Sequence, residues 1–501
     1  MRSRVWSVWS IGTWVCVAAA LATTVACVHE RSSVAGGETM TASRSAPEQR
    51  PMLRGIWIAS WDDGDKETVF SREQLDEIIR CAREYNFNAI FPEVRKVGDA
   101  YYLRGFEPRA NNIDGPDDWD PLQYMIDQCH DTSDGKRRIE VHAWCVTFRI
   151  WRDSVADEYL PGHLLDMHPE TAMFNASGED NADGTQFADP GHPMTQDWTA
   201  RVFRDLAANY DIDGIHHDYV RYPEYEGDWG HNPVSIARFR ERTGHEGKPE
   251  ADDPRWQAWR RQQVVDNVRR IYAEVHEVNP DCVVSASTLN WALEMDPWKW
   301  LDSSPRTNAH QDWVEFMKEG IIDMNCLMSY ARMESQPNRY RDWNELVMRT
   351  RNDRHGVIGA GVYLNPTETG IDMVRQAMEM GADGVMLYSW GNVNSDDVSR
   401  EEFFRRLRDE VWTEPVPPPA RPWLENPNTG QLIGQVTNSD GEWVDGALVT
   451  LDGVETLLTD ATGFYAFQRL KPGAHVVEVN GDRHAVAVEA GGTARVGFET
   501  E

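Results

Sequence analysis

Apolar and polar positions between residues 51 and 412 switch repeatedly between two periods. Short apolar runs at 55–59, 89–94, 140–145, 214–219, 283–287, 323–328, 357–362 and 384–389 predict buried strands. Segments of helical period separate them: 72–85, 121–130, 195–209, 255–278, 311–319, a weakly marked one near 343–349, then 370–380 and 400–411. The first places Leu75, Ile78, Ile79 and Ala82 on one face, and Ser71 with Gln74 three residues on is a capping-box start. Eight strand–helix repeats predict an α/β fold, a closed (β/α)8 TIM barrel. An open doubly wound sheet competes, but no glycine-rich phosphate loop follows a strand. Turns entering strands, such as 86–88 and 381–383, are short. The loops 146–194 and 220–254 exceed the ~12–15 residues usual for a structureless connection. Long insertions at the strand exits are expected of the face where barrels carry their sites.

Beyond 412 the pattern changes. Residues 413–430 hold Pro415, Pro417, Pro418, Pro419, Pro422 and Pro427, the composition of a stiff extended linker and not of a helix. Short strands are predicted at 431–436, 447–451, 455–460, 463–467, 475–480 and 485–489, separated by Gly, Asp and Pro turns, which suggests a small antiparallel β-sandwich over 431–501. Gly434-Gln435-Val436, Gly446-Ala447-Leu448-Val449, Thr459 to Phe467 and Leu470-Lys471-Pro472-Gly473 together resemble the carboxypeptidase-regulatory-like, prealbumin-type sandwich, a module that serves as spacer or adhesion unit.

At the other end, Arg2 and Arg4 precede an apolar run at 11–22, and Thr24-Val25-Ala26-Cys27 closes the segment. This resembles a bacterial lipoprotein signal over 1–27 with Cys27 as the lipidated residue, although Thr24 stands where a larger aliphatic residue is usual. An ordinary secretory signal is the competing reading, and either one exports the protein. Residues 28–50, small and polar, are expected to form a flexible tether. The membrane would then be met only through a lipid anchor, with the protein periplasmic or at the cell surface. A formal net charge of -32 spread along the chain argues against nucleic acid as a partner, because phosphate binding needs a basic patch. Beyond Cys16 and Cys27 the cysteines are Cys81, Cys129, Cys145, Cys282 and Cys326. None forms a CxxC pair, and their positions on predicted elements read as small buried hydrophobes, with one disulfide open in an oxidising compartment.

The chemistry concentrates in Asp211-Ile212-Asp213-Gly214-Ile215-His216-His217-Asp218-Tyr219-Val220-Arg221-Tyr222-Pro223. On a strand, His216 and Asp218 share one face and Ile215 and His217 the other. A carboxylate at a buried strand's C-terminal end is costly unless used or hydrogen-bonded, so Asp218 is the first catalytic candidate, and a structural Asp held by Arg221 or by backbone amides is the alternative. Glu93 ends the second strand and can supply the second carboxyl of glycoside cleavage, or pair with Arg95 or Lys96. Other acids expected at this face are Asp62, Asp63, Asp99, Glu294 and Asp296. His142, Trp144, His216, Tyr222, Tyr330 and Trp390, with Arg95, Asp99 and Arg221, are the candidates for binding a polyhydroxylated substrate. His216 and His217 face opposite ways and no HExxH occurs, so no metal or other cofactor is expected.

Arg54 to Ile58, Phe87 to Phe91 with Val94-Arg95 and Gly98 to Tyr102, Asp120-Pro121-Leu122, Val141 to Trp144, and Asp213 to His216 with Asp218-Tyr219 and Arg221-Tyr222-Pro223 together resemble the bacterial glycosyl hydrolase-like family ten over about 51–410. The resemblance implies a (β/α)8 barrel and glycosidase activity on a polysaccharide, with bacterial cell-wall glycan as the expected substrate. Two positions depart from it. The family usually carries glutamine where Glu93 stands, so sugar binding without proton donation is the alternative role for this position. Val146-Thr147-Phe148-Arg149 replaces the usual Asn-Pro-Tyr-Arg, which alters one side of the groove. A surface protein that binds carbohydrate without cleaving it is the alternative, and a metal-dependent hydrolase a third.

Overall fold

The computed structural model describes residues 46–60, 69–153, 158–291 and 297–500. The signal segment with Cys27, and the acids Asp62, Asp63, Glu294 and Asp296, lie outside the described residues. The first ten strands are β1 (Leu53–Ile58), β2 (Ala89–Arg95), β3 (Glu140–Val146), β4 (Arg149–Arg152), β5 (Thr185–Phe187), β6 (Gly214–Asp218), β7 (Val283–Thr288), β8 (Met324–Ser329), β9 (His355–Ala360) and β10 (Gly384–Leu387). Eight of them close a parallel barrel in the order β1-β2-β3-β6-β7-β8-β9-β10, with β10 pairing back onto β1. This is the expected (β/α)8 architecture. β4 and β5 pair antiparallel inside the long loop after β3, a hairpin too short to stand out in the hydrophobic pattern.

The expected helices surround the barrel. The capping box forms as read, Gln74 N donating to Ser71 Oγ at 3.2 Å and Ser71 N to Gln74 Oε1 at 2.9 Å. Leu75, Ile78, Ile79 and Ala82 are buried on its inner face. The weakly marked segment is a full helix, Pro337–Thr350. Its first turns are polar, and Tyr340 and Trp343 alone carry the early buried face. A helix at Pro233–Thr243, not expected, fills part of the loop after β6 and packs Phe239 on Trp256 and Trp259.

Alternation divides the strand residues into two cores. The outer layer packs against the helices, while Leu53, Trp57, Phe91, Trp144, Met324, Cys326, Val357 and Met386 fill the barrel. Two glycines make this filling fit. A Cβ on Gly359 would lie 2.5 Å from the Trp57 ring, and one on Gly214 would lie 2.2 Å from His142 Nδ1. The five cysteines from Cys81 to Cys326 are free and buried. No helix among the described residues is long and apolar enough to cross a membrane.

The proline-rich segment is not a free spacer. Met52 N donates to Pro417 O, Asn88 Nδ2 to Val416 O, and Arg54 to Glu414 O, so the segment runs across the N-terminal end of the barrel. It then makes a short helical turn, Pro422–Glu425, despite its prolines, because Pro422 occupies the first position, where no N–H is needed. Leu424 packs against the barrel filling from below, and Trp423 Nε1 donates to Asp323 at 2.7 Å. Arg421 grips Glu140 with two bonds of 2.8 Å. The expected tether also ends docked: Gln49 donates to Val411 O and accepts from Arg54.

The C-terminal strands are β11 (Gly430–Asn438), β12 (Leu448–Leu451), β13 (Glu455–Leu458), β14 (Phe464–Leu470), β15 (Gly473–Val479), β16 (Asp482–Val488), β17 (Thr493–Arg495) and β18 (Phe498–Thr500). One sheet, β13-β12-β15-β16, is antiparallel. The other is mixed, because β17 and β18, not expected from the pattern, return alongside β11 in its own direction. The sandwich docks on the barrel's helical layer through Ile433, Phe464 and Ala466 against Ala273, and through Asp445 with Arg238 and Arg242.

Burial alone would raise the Glu140 carboxyl, but Arg421 and His142 hold it well below the usual carboxylate range. A depressed folded value contributes stability that is present above the ordinary carboxylate pKa and lost as pH falls. Arg421→Ala takes the cation from a buried carboxylate and leaves it only His142, and is expected to cost ~3–5 kcal/mol at pH 7. Urea titrations across pH 3–7 should show the deficit shrinking towards acid.

Candidate active site at the barrel mouth

The C-terminal strand ends bring two carboxyl groups to either side of one tryptophan. Trp144 on β3 is in register with Glu93 on β2 and with His216 on β6. Asp218 stands one inward position above His216, and Trp144 Nε1 donates to its Oδ2 at 3.2 Å. The Tyr219 amide donates to Asp218 Oδ1 at 2.7 Å, and Arg221 reaches the same oxygen at 3.4 Å. Burial pushes the Asp218 carboxyl up, against the pull of Arg221, Arg149 and these donors. The side chain therefore sits in a low-dielectric setting but has four groups that stabilise its charge.

Glu93 is met differently. Its Oε2 accepts from the Ser60 amide at 3.0 Å and the Ser60 hydroxyl at 2.7 Å, while Oε1 is buried with no hydrogen-bond partner among the described residues. Desolvation raises its pKa to about 7, with Lys96, Ser60 and Arg149 pulling the other way. Glu93 thus holds a proton near neutrality while Asp218 is surrounded by donors. Two carboxyl groups in such unlike settings are the arrangement that divides acid from nucleophile or base.

Tyr219 shapes this corner. Its φ of 46° is costly for a bulky residue. The turn lays its ring between the guanidinium groups of Arg149, at 3.8 Å, and Arg221, at 4.0 Å. Across the mouth, Tyr330, Tyr363 and Tyr388 form a mutual cluster with ring centroids 5.2–5.8 Å apart. Burial pushes the Tyr330 hydroxyl well up, with Tyr388, Tyr363 and Asp218 adding to the rise.

Among the expected binding residues, Trp144, Arg221 and Tyr330 gather here, and six lie elsewhere. Arg95 is fully buried in a two-bond ion pair with Glu107, at 2.6 and 2.7 Å. The strand register shifts between Glu93 and Arg95, so alternation no longer keeps them on one face and Arg95 pairs with Cys145 of the outer layer. Asp99 accepts from the amides of Lys96 and Val97 and braces the turn after β2. His142 lies a layer below Trp144, stacked on Phe91 at 4.4 Å with its Nε2 on Glu140. His216 is sealed inside the barrel, where Trp57 Nε1 donates to its Nε2 at 2.9 Å, and burial holds it well below its ordinary pKa. Trp390 packs outward between Phe404 and Arg400. Tyr222 is buried beside the mouth, in a separate cleft. Sequence reasoning did not select Ser60, Arg149, Tyr219, Tyr363 or Tyr388. Arg149 and Tyr219 lay within motifs already noted, whereas Ser60 meets Glu93 through the pairing of β1 with β2, and Tyr363 and Tyr388 reach the mouth through barrel closure.

His217 faces outward, against Phe203 and Thr147. No group of three or more His, Cys, Asp or Glu side chains among the described residues is disposed to hold a metal ion. A cavity of about 340 Å³ between the linker and the sandwich, lined by Trp423, Tyr272 and Arg354, lies at the opposite end of the barrel from both carboxyl groups.

The model of one family, glycosyl hydrolase-like 10, matches residues 52–354. The chain belongs to that family. Relatives of the chain include glycosyl hydrolase YngK of Bacillus subtilis, 24% identical over 450 residues that cover 83% of this chain and 82% of that protein. Glycosyl hydrolase DigH of Escherichia coli K12 is 24% identical over 338 residues, covering 60% of this chain and 71% of its own. The fold is similar to the glycoside hydrolase domain of PgaB from Bordetella bronchiseptica, with a TM-score of 0.51 at 16% identity over 72% of this chain and 97% of that one.

The unlike settings of the two carboxyl groups can be measured as stability. Glu93 has a raised pKa in the fold, so its contribution is full below the ordinary carboxylate value and is lost as pH rises towards about 7. Glu93→Gln is expected to remove that slope and to be more stable than wild type at pH 8 by about 1–3 kcal/mol. Thermal denaturation between pH 4 and 8 reads the difference.

Proposed function

We propose that the protein is a glycoside hydrolase that cleaves O-glycosidic bonds in bacterial cell-wall glycan. The observation that carries this is the pair of strand-end carboxyl groups flanking Trp144, one holding a proton near pH 7 and the other ringed by donors. Glu93 gives its proton to the leaving oxygen, and Asp218 acts as nucleophile or as base for water. Separations of about 5–5.5 Å and about 6.5–9.5 Å divide retaining from inverting enzymes. Trp144 fixes the Asp218 carboxylate and stabilises its charge. The Tyr330, Tyr363 and Tyr388 rings offer faces for a sugar's C–H surface. Export through the N-terminal signal, with lipid attachment at Cys27, would bring the barrel to that substrate.

The burial of Glu93 favours a second reading. A protonated Glu93 held by Ser60 presents the same neutral shape as the glutamine usual in the family, and then serves binding without proton transfer.

The test incubates the purified protein with peptidoglycan, with peptide-free glycan strands and with plant and storage polysaccharides, products being read by mass spectrometry. Asp218→Asn should lower turnover by ~10²–10⁴-fold or more with fold and glycan binding retained. Glu93→Gln should lose turnover comparably if Glu93 is the acid. Retained turnover would move it to sugar binding, and cleavage by none of the proteins with glycan still bound would favour the non-catalytic reading.

A further inference from the structure

Nine arginines are buried among the described residues, and eight of them donate to a carboxylate or a carbonyl oxygen. Arg149, 4% exposed, donates to no described residue and forms no ion pair with one. A buried charge is costly unless something pairs with it. Arg149 Nε is sealed from solvent, but the two Nη atoms are not among the sealed, unpartnered atoms. Those Nη atoms are therefore the donors that a bound molecule can reach.

The fold holds this guanidinium without using its donors. Thr147 N donates to Asp218 O at 2.7 Å and Phe148 N to Tyr219 O at 3.3 Å, so the chain leaving β3 stays beside the chain leaving β6. Arg149 then opens β4 in register with Phe187 of β5, whose ring packs on Tyr219. The left-handed turn at Tyr219 lays its ring against the Arg149 guanidinium at 3.8 Å. Contact with a ring face fixes a guanidinium while leaving its N–H groups free. The other face of the ring shows the contrast. There Arg221, at 4.0 Å, is already spent on Asp218 and Glu224.

The charge of Arg149 is felt at both Glu93 and Asp218, yet it pairs with neither. Its open side thus faces the space between the two carboxyl groups. On the glycosidase reading that space takes the sugar unit at the scissile bond. Asp218 can only accept from it and Glu93 has a single proton to give, so Arg149 is the group that brings a planar fork of donors to that unit. A carboxylate at Asp218 repels an anionic substituent and tolerates hydroxyl, ether and amide oxygens.

We propose that Arg149 is a substrate-binding residue whose Nη donors bond neutral oxygen atoms of the sugar unit lying between Glu93 and Asp218. The proposal rests on the glycan reading of the mouth and adds to it the donor that orients the reacting unit.

Calorimetric titration of the full protein carrying Asp218→Asn tests it without hydrolysis. The probes are a peptide-free cell-wall glycan tetrasaccharide and its carboxyl-reduced form, which keeps the neutral oxygens and loses the charges. Adding Arg149→Met, which preserves an apolar contact with the Tyr219 ring, should weaken both at least tenfold, the loss expected for a hydrogen bond from a charged donor. Arg149→Lys should recover little, because an ammonium lacks the fork. In Arg149→Ala, guanidinium chloride at millimolar, non-denaturing concentration should restore binding. The Met variant should melt no lower than its parent, since it removes a buried charge and no hydrogen bond within the protein. Unchanged affinity in Arg149→Met, or a loss confined to the unreduced tetrasaccharide, would overturn the proposal. So would a lowered melting temperature without guanidinium rescue, which marks a structural role. If the Asp218→Asn protein binds neither tetrasaccharide, the cell-wall glycan reading and the proposal fall together. If it binds both and Arg149→Met binds them equally well, only the proposal falls. Arg149-dependent binding by a wild-type protein that cleaves nothing would sink the hydrolase reading and leave the proposal standing.

Discussion

Inside the barrel the Trp57 indole N–H has no water to bond, and His216 accepts it at 2.9 Å. That bond fixes much above it. Accepting at Nε2 leaves the proton on Nδ1, which donates to Ser285 Oγ at 2.8 Å, and the Ser287 hydroxyl also meets Nε2. The imidazole is neutral because burial and the nearby His142 and His217 disfavour its charge. Trp57 in turn occupies the space that Gly359 leaves empty and touches Tyr388 of the mouth cluster. A closed polar layer of this kind is a rigid floor: each member is satisfied only while the others stay in place. Trp144 stands in register beside His216 on that floor and holds Asp218 above it.

Above the floor the problem is reversed, since charge must be kept where water is scarce. Asp218 is 5% exposed and Glu93 is fully buried, yet the two are treated unequally. Donors converge on Asp218, whereas Glu93 has a single serine and an unmet oxygen. Arg149 acts on both carboxyl groups and is steadied by the Tyr219 ring. The left-handed turn at Tyr219 brings Arg149 and Arg221 to the two faces of that ring. Strain at that residue is what an active-site corner is expected to carry.

The far end of the barrel is closed by chain that lies outside the family match. The glycosyl hydrolase-like 10 match ends at residue 354, yet β9 and β10 are needed to join β8 to β1. Beyond them the proline-rich segment covers the N-terminal opening, with Arg421 on Glu140, Trp423 on Asp323 and Leu424 against the filling. The sandwich that follows rests on the helix Pro254–Val278 and its neighbours, so it is held at the side of the barrel and does not swing from a spacer.

Strand period, helix period and capping chemistry are local, and the sequence by itself determined them. The eight strands, the capping box at Ser71 and the inward pairing of His216 with Asp218 could all be read before any contact was known. Loop asymmetry likewise marked which end of the barrel would carry the site. What pairs with what was decided by closure. Arg95 is two residues from Glu93 and would share its face, but a shift in register turned it to Glu107. His142 and His216 sit on the correct face at the wrong depth, which alternation cannot distinguish because it fixes direction and not height. Ser60, Tyr363 and Tyr388 come from strand ends distant in sequence, and the linker's prolines gave no sign that a barrel end would receive them. Periodicity is a property of neighbours along the chain, whereas depth, register and burial exist only once the first strand has met the last.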